Sequence, residues 1–258
     1  MRGEREQACL DIIKKNYKKV RFYGLSVEDL NLLKKCLFSA IPNPESSRFP
    51  DFIFNDGFIE HFQVTSSKTN RRGAVHQKEY AFYRKKTDAA IKEFAEEMNE
   101  HPSFDVIQER HWSFEQPVHS YENLLYSFKS TWNSHIESLN KYPKNYETGI
   151  FLVDYPEFAL AMHENSHAEV KEGLCYGDLR EQQNFKSYRL SRDKMMLDYL
   201  YTYKEQIAFV IYLYYDGCEV IKLENIPELK KLLPWDFFVH PLIVWNDEVM
   251  YGISVSNK

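Results

Sequence analysis

Glycine is scarce in this chain: nine in 258 residues, with none arranged as GxxxxGK or GxGxxG. That removes the Gly-rich phosphate loops, whose backbone must approach a ligand closely. Cysteine is scarcer still. Cys9, Cys36, Cys175 and Cys218 are scattered with no CxxC spacing, which counts against a disulfide framework and favours a reducing cytoplasm. No stretch approaches 18 apolar residues, so no membrane span is expected. The start, MRGEREQACLDIIKKNYKK, is charged and amphipathic and lacks the apolar block of a signal peptide. Positive charge is also lacking. The formal net charge is −5, so any polyanion has to be met by a local patch rather than a global basic field. No Ser nucleophile elbow occurs, and no local signature supports Cys–His catalysis.

What is present is apolar and aromatic: 43% hydrophobic and 16% Phe, Trp and Tyr, ample for a packed core. Residues 4–19 have helical spacing (Ala8, Leu10, Ile12, Ile13, Tyr17). A second helix is predicted from Ser26, because S-V-E-D ahead of LNLLKKCLFSA is a capping-box pattern. Ile41-Pro42-Asn43-Pro44 stops it. Strands near 50–55 and 58–66 follow, then a basic loop from Ser67 to Gly73 and a long charged helix over 75–99. A strand near 104–114 and a helix near 120–140 come next. Thr148–Asp154 and Ile207–Tyr215 are continuously apolar, as buried strands are. Residues 193–205 read as helix. Asp216-Gly217 turns the second buried strand back into Cys218–Leu223, and the end from Pro234 to Asn257 reads as β-rich. Residues 165–190 read as a loop insertion. This order of elements predicts an α/β or α+β fold with a mixed central sheet flanked by helices. We read it as a single domain over 1–258, with a core over 26–155 and an α/β extension over 190–258.

The densest chemistry lies in Phe49–Lys68, FPDFIFNDGFIEHFQVTSSK, two short strands about Asn55-Asp56-Gly57. Asp51, Glu60, His61, Gln63 and Thr65 sit on strands apolar enough to be core, so each needs a partner or a job. Side chains alternate along a strand, so turn length decides what meets Asp51. A two-residue Asp56-Gly57 turn pairs Asn55 with Phe58, sets Asp51 against Phe62 and leaves Glu60 on its side. A three-residue Asn55-Asp56-Gly57 loop sets Asp51 against His61, with Gln63 and Thr65 further along. In the competing reading these polar groups are hairpin-end residues, solvated or bonded to backbone.

PDFIF…FIEHFQV resembles the PD-(D/E)XK phosphodiesterase superfamily, the restriction-endonuclease-like fold. The resemblance covers roughly residues 26–98, with Thr148–Asp154 as a further core strand. It implies an Asp after Pro50, here Asp51, and an acid on the next strand, here Glu60 or Gln63, holding Mg²⁺ or Mn²⁺. The lysine of the pattern is missing from both Glu60-His61-Phe62 and Gln63-Val64-Thr65. Lys68 or Lys78 would have to supply its charge. Gln77 and Tyr80 look like the Gln-x-x-Tyr element of RecB-like members. The activity implied is metal-dependent cleavage of DNA or RNA, or binding on a decayed nuclease core, with Arg71 and Arg72 also at phosphates.

A second motif competes. His163-Glu164-Asn165-Ser166-His167 matches H-E-x-x-H, which on a helix places two His one turn apart to hold Zn²⁺, with Glu164 as general base. Pro156, the FALAM run and Gly173 fit a helix there, and Asp178 or Glu181 would supply a third ligand. Against it, Asn165, Ser166, Ala168 and Glu169 are not the apolar residues such a helix buries. Asp154, at the end of a buried strand, is a further acidic candidate or an N-cap. A catalytically silent interaction protein is the third reading.

Overall fold

A computed structural model describes residues 3–45, 48–70, 73–100, 106–115, 119–143, 146–165, 184–233, 236–242 and 245–254. In chain order the elements are α1 (Glu4–Lys15), β1 (Arg21–Tyr23), α2 (Val27–Ser39), β2 (Ile41–Pro42), β3 (Phe52–Phe54), β4 (Gly57–Gln63), β5 (Thr69–Asn70) and β6 (Gly73–Ala74). Then come α3 (Val75–Glu100), β7 (Val106–Glu115), α4 (Tyr121–Lys141), β8 (Thr148–Tyr155), β9 (Leu160–Asn165) and β10 (Asn184–Phe185). The chain continues through α5 (Lys194–Tyr201), β11 (Phe209–Tyr214), β12 (Gly217–Lys222), α6 (Ile226–Leu232), β13 (Asp236–Pro241) and β14 (Trp245–Ser254). The protein is mixed α/β, as its pattern of elements predicts. Among the described residues, no helix is long and apolar enough to cross a membrane.

The chain packs as two compact units. The first comprises residues 1–66 and 120–241, the second 67–119 and 242–258. The first unit is built on a seven-stranded mixed sheet in the order β1-β12-β11-β8-β4-β3-β2. β4, β8 and β11 run parallel, and β3 pairs antiparallel with β4. Alternation along the strands sorts the core into two layers. Phe58, Phe62, Phe151, Val153, Val210 and Tyr212 pack with Phe128 and Trp132 of α4 and with Leu197 and Leu200 of α5. Ile59, Ile150, Leu152 and Ile211 pack with Leu10 and Ile13 of α1 and with Leu33 and Leu37 of α2. The sheet is therefore covered on both faces, which is why β8 and β11 read as unbroken apolar runs.

α2 starts where its capping box puts it. Ser26 Oγ accepts from Asp29 N–H at 3.2 Å, and Asp29 Oδ2 accepts from Ser26 N–H at 2.9 Å. α1 stops at Lys15, short of residue 19, and a 3-10 turn over Tyr17–Lys19 replaces its last turn. A small antiparallel sheet of β10, β9 and β13 completes the unit. The second unit holds α3, the β5–β6 hairpin and a long antiparallel ribbon of β7 with β14, running from Val106↔Ser254 to Glu115↔Trp245.

Candidate functional site

The hairpin settles on a turn that neither sequence alternative describes. Phe54 pairs with Gly57, so the loop is the two residues Asn55-Asp56. The ladder ends at Phe52↔Ile59, and Asp51, just before it, lies against Glu60 and the His61 backbone. Gly57 is required here. A Cβ on it would lie 2.2 Å from Cε2 of Phe54 and 2.4 Å from the Thr148 carbonyl oxygen.

The two acids brace the open end of the hairpin reciprocally. Glu60 Oε2 accepts from Asp51 N–H at 2.9 Å, and Asp51 Oδ2 accepts from His61 N–H at 2.8 Å. Glu60 shares a sheet face with Phe58 and Phe62. There His135 of α4 meets Glu60 Oε1 through Nδ1 at 2.6 Å, its ring stacked on Phe62 at 4.8 Å between centroids. Burial, and next the charge of Glu60, push the Asp51 carboxyl up to about 6. Glu6 of α1 adds to that repulsion, and Asp51, Glu6, Gln7 and Asn43 line a cavity of about 60 Å³.

His61 faces the opposite side of the sheet from Glu60, toward α1. There it meets a set of residues far apart in sequence. Asp154, from the end of β8, is buried, and Arg5 donates to its Oδ2 through Nε at 2.9 Å and through a terminal nitrogen at 2.7 Å. His61 Nε2 lies 3.9 Å from the same oxygen. Burial pushes the Asp154 carboxyl up, but His61 and Arg5 beside it outweigh that and hold it below its ordinary value. Cys9, one helical turn after Arg5, completes the cluster. Burial, reinforced by the charge of Asp154, pushes its thiol up to about 12. Ligand-type atoms of Cys9, His61 and Asp154 all lie within 4.8 Å of one another. Asp51, Glu60 and Glu6 are not drawn together to that distance among the described residues.

The remaining candidates are dispersed. Gln63 is exposed on β4, in register with Asp154. Lys68 and Lys78 are exposed residues of the second unit, the latter on α3 with Gln77 and Tyr80. Arg71, Arg72, His167, Asp178 and Glu181 lie outside the described residues. The described part of the H-E-x-x-H segment, His163 to Asn165, is strand rather than helix. His163 and Glu164 sit on β9, where successive side chains point to opposite faces, and their motif partner His167 lies outside the described residues. His163 stacks on His240 at 4.8 Å. Glu164 is buried against Arg192, with Oε1 2.5 Å from Nε and Oε2 2.8 Å from a terminal nitrogen. The β9–β13 pairing explains the difference, because it gives each residue of Leu160–Asn165 a cross-strand partner in Asp236–Pro241.

Sequence reading missed Arg5, Glu6, Cys9 and His135. The signal available for Arg5 and Cys9 was a shared helix face, since they are four residues apart in α1. Nothing local joins that face to β4 and β8. The fold makes the first unit a three-layer α/β/α body in which Glu60 and His61, neighbours on one strand, turn to opposite faces of the sheet. No protein-family model, curated protein or solved structure matches the chain.

Proposed function

We propose that the protein is nuclease-like: Asp51 and Glu60 at the open end of the hairpin hold a hard divalent cation, Mg²⁺ or Mn²⁺, against a nucleic-acid phosphate. One observation carries this reading. Two carboxylates meet at the open end of a buried hairpin, where burial, and next the charge of Glu60, pushes Asp51 up to about 6. A cation relieves that repulsion, and all-oxygen donors select a hard one. Magnesium is commonly held by one or two carboxylates, with water and substrate phosphate filling the other positions, so a third protein ligand is not required. The cavity beside Asp51 is also larger than the ~30 Å³ a water molecule occupies. In that role the cation would activate water and stabilise the oxygen charge developing in phosphodiester hydrolysis.

The lysine that such chemistry borrows has no counterpart in Glu60-His61-Phe62, and each acid already accepts a backbone N–H. Those two facts favour the second reading, a catalytically silent fold whose acids only close the hairpin. A cleavage assay separates the two. Single- and double-stranded DNA and RNA are offered with Mg²⁺, Mn²⁺ or EDTA to the wild-type protein and to Asp51→Ala. The nuclease reading expects metal-dependent cleavage that falls by about 10²-fold or more in the variant. Cleavage of nothing, under any metal, leaves the silent fold.

A further inference from the structure

We infer that Cys9, His61 and Asp154 form a second metal site, one for a thiophilic divalent cation of the zinc type, which ties α1 to the centre of the sheet. This inference goes beyond the nuclease reading and does not depend on it: the residues differ, and so does the ligand chemistry. The first observation is convergence. A thiol from α1, an imidazole from β4 and a carboxylate from β8, drawn from positions 9, 61 and 154, bring their ligand atoms within 4.8 Å of one another. Tetrahedral zinc with bonds of 2.0 to 2.3 Å needs its ligands about 3.3 to 3.5 Å apart, so side-chain rotations on the order of 1 Å close the set. The second observation is independent. The His61 side chain is only 6% exposed, yet its Nε2 has no hydrogen-bond partner. Buried imidazole nitrogens are normally satisfied, and one aimed at a carboxylate and a thiol is placed as a ligand.

The donor set chooses the metal. One sulfur, one nitrogen and one oxygen suit zinc, and its spectroscopic surrogate cobalt, and suit magnesium poorly. Three protein ligands leave a fourth position for water. Arg5 now supplies the positive charge at Asp154, and its side chain, 55% exposed, can turn into solvent once a bound cation takes over that charge. A cleft of about 610 Å³, lined by Arg5 and Asp154 among others, provides the path in. Binding deprotonates the Cys9 thiol: the sulfur–hydrogen bond is replaced by a sulfur–metal bond and the proton goes to solvent.

Cobalt(II) titration of the full-length protein, stripped with a chelator and kept reduced, reads the site directly. A thiolate ligand gives a near-ultraviolet charge-transfer band that oxygen and nitrogen ligands do not. The site predicts that band in wild type, its loss in Cys9→Ser, and its bleaching by zinc. Arg5→Gln should shift the titration midpoint to lower cobalt. Asp51→Asn removes the carboxylate charge but keeps an oxygen to accept the His61 N–H, so it should keep the band, and loss of nuclease activity and loss of this site are scored separately. Circular dichroism confirms that Cys9→Ser is folded. The inference is overturned if wild type shows no band, or if folded Cys9→Ser retains it.

Discussion

At the scale of single residues, the polar groups of the hairpin divide by the face they occupy. Glu60 and His61 are neighbours in sequence, yet one meets His135 on α4 and the other faces Asp154 and Cys9 below α1. Alternation along β4 is the whole reason. Asp51 stands at the rung between them, and its raised carboxyl has a consequence for stability. An ordinary Asp titrates near 3.8, whereas the folded chain holds this proton up to about 6. Below the lower value both folded and unfolded forms are protonated and no cost is incurred. As pH rises from 3.8 to 6 only the unfolded chain releases its proton, so stability falls, and above 6 the full cost remains. Partial exposure screens the effect to about 1 kcal/mol. Asp51→Asn keeps an oxygen to accept the His61 N–H and carries no charge. Urea denaturation is expected to show it more stable than wild type at pH 7 and equal to it at pH 4. A difference that stays constant across that range would show that Asp51 is not raised. The composition of this pair was legible in the sequence, since Asp51 and Glu60 are singled out by being polar on apolar strands. Their pairing was not, because it depends on a turn that the letters Asn-Asp-Gly permit in several forms.

At the scale of elements, the hairpin turn is the part on which the site depends most. Gly57 lies where the Phe54 ring and the Thr148 carbonyl oxygen both reach the space a Cβ would fill. Gly57→Ala must therefore push β4 away from β3 or from β8. Overpacking of this kind costs about 1–3 kcal/mol. The displaced strand also separates Glu60 from Asp51. Carboxyl NMR titration is expected to move Asp51 back toward the ordinary Asp range in this variant, alongside a lower urea midpoint. A variant with an unchanged Asp51 titration would show that the pair does not depend on the turn. Element identity was legible wherever a local device specifies it: the Ser26–Asp29 box for α2, the apolar runs for β8 and β11, and Asp216-Gly217 before β12. At Leu160–Asn165 the sequence left helix and strand both open, and the structure has the strand. There helix-compatible residues form a strand because β13, some seventy residues later, supplies the ladder that local propensity cannot anticipate.

At the scale of the whole molecule, the chain leaves its first unit after Ser66 and re-enters it at Ser120. Those two residues are hydrogen-bonded, Ser120 N–H to Ser66 C=O at 2.9 Å. A short Gly/Ser link can therefore join them without strain. The strands of the second unit pair with one another, β7 with β14 and β5 with β6, so removing residues 67–119 and 242–258 leaves no described strand of the sheet without its partner. The shortened chain, 1–66 linked to 120–241, is expected to unfold in one cooperative urea transition and to keep the near-ultraviolet dichroism of the buried Trp132. Loss of that signal, with secondary structure retained, would mean that the first unit is not a self-sufficient fold. The excision also divides the nuclease reading into its two requirements. Asp51 and Glu60 stay, while Lys68, Arg71, Arg72, Lys78, Gln77 and Tyr80 go. Manganese binding should survive and nucleic-acid affinity should fall. If those basic residues contact duplex phosphates, each lost contact lowers the slope of log affinity against log salt by about 0.9. An unchanged slope would place the phosphate contacts in the first unit, where Arg5, Lys19 and Arg21 line the cleft beside Asp154 and become the residues to replace next.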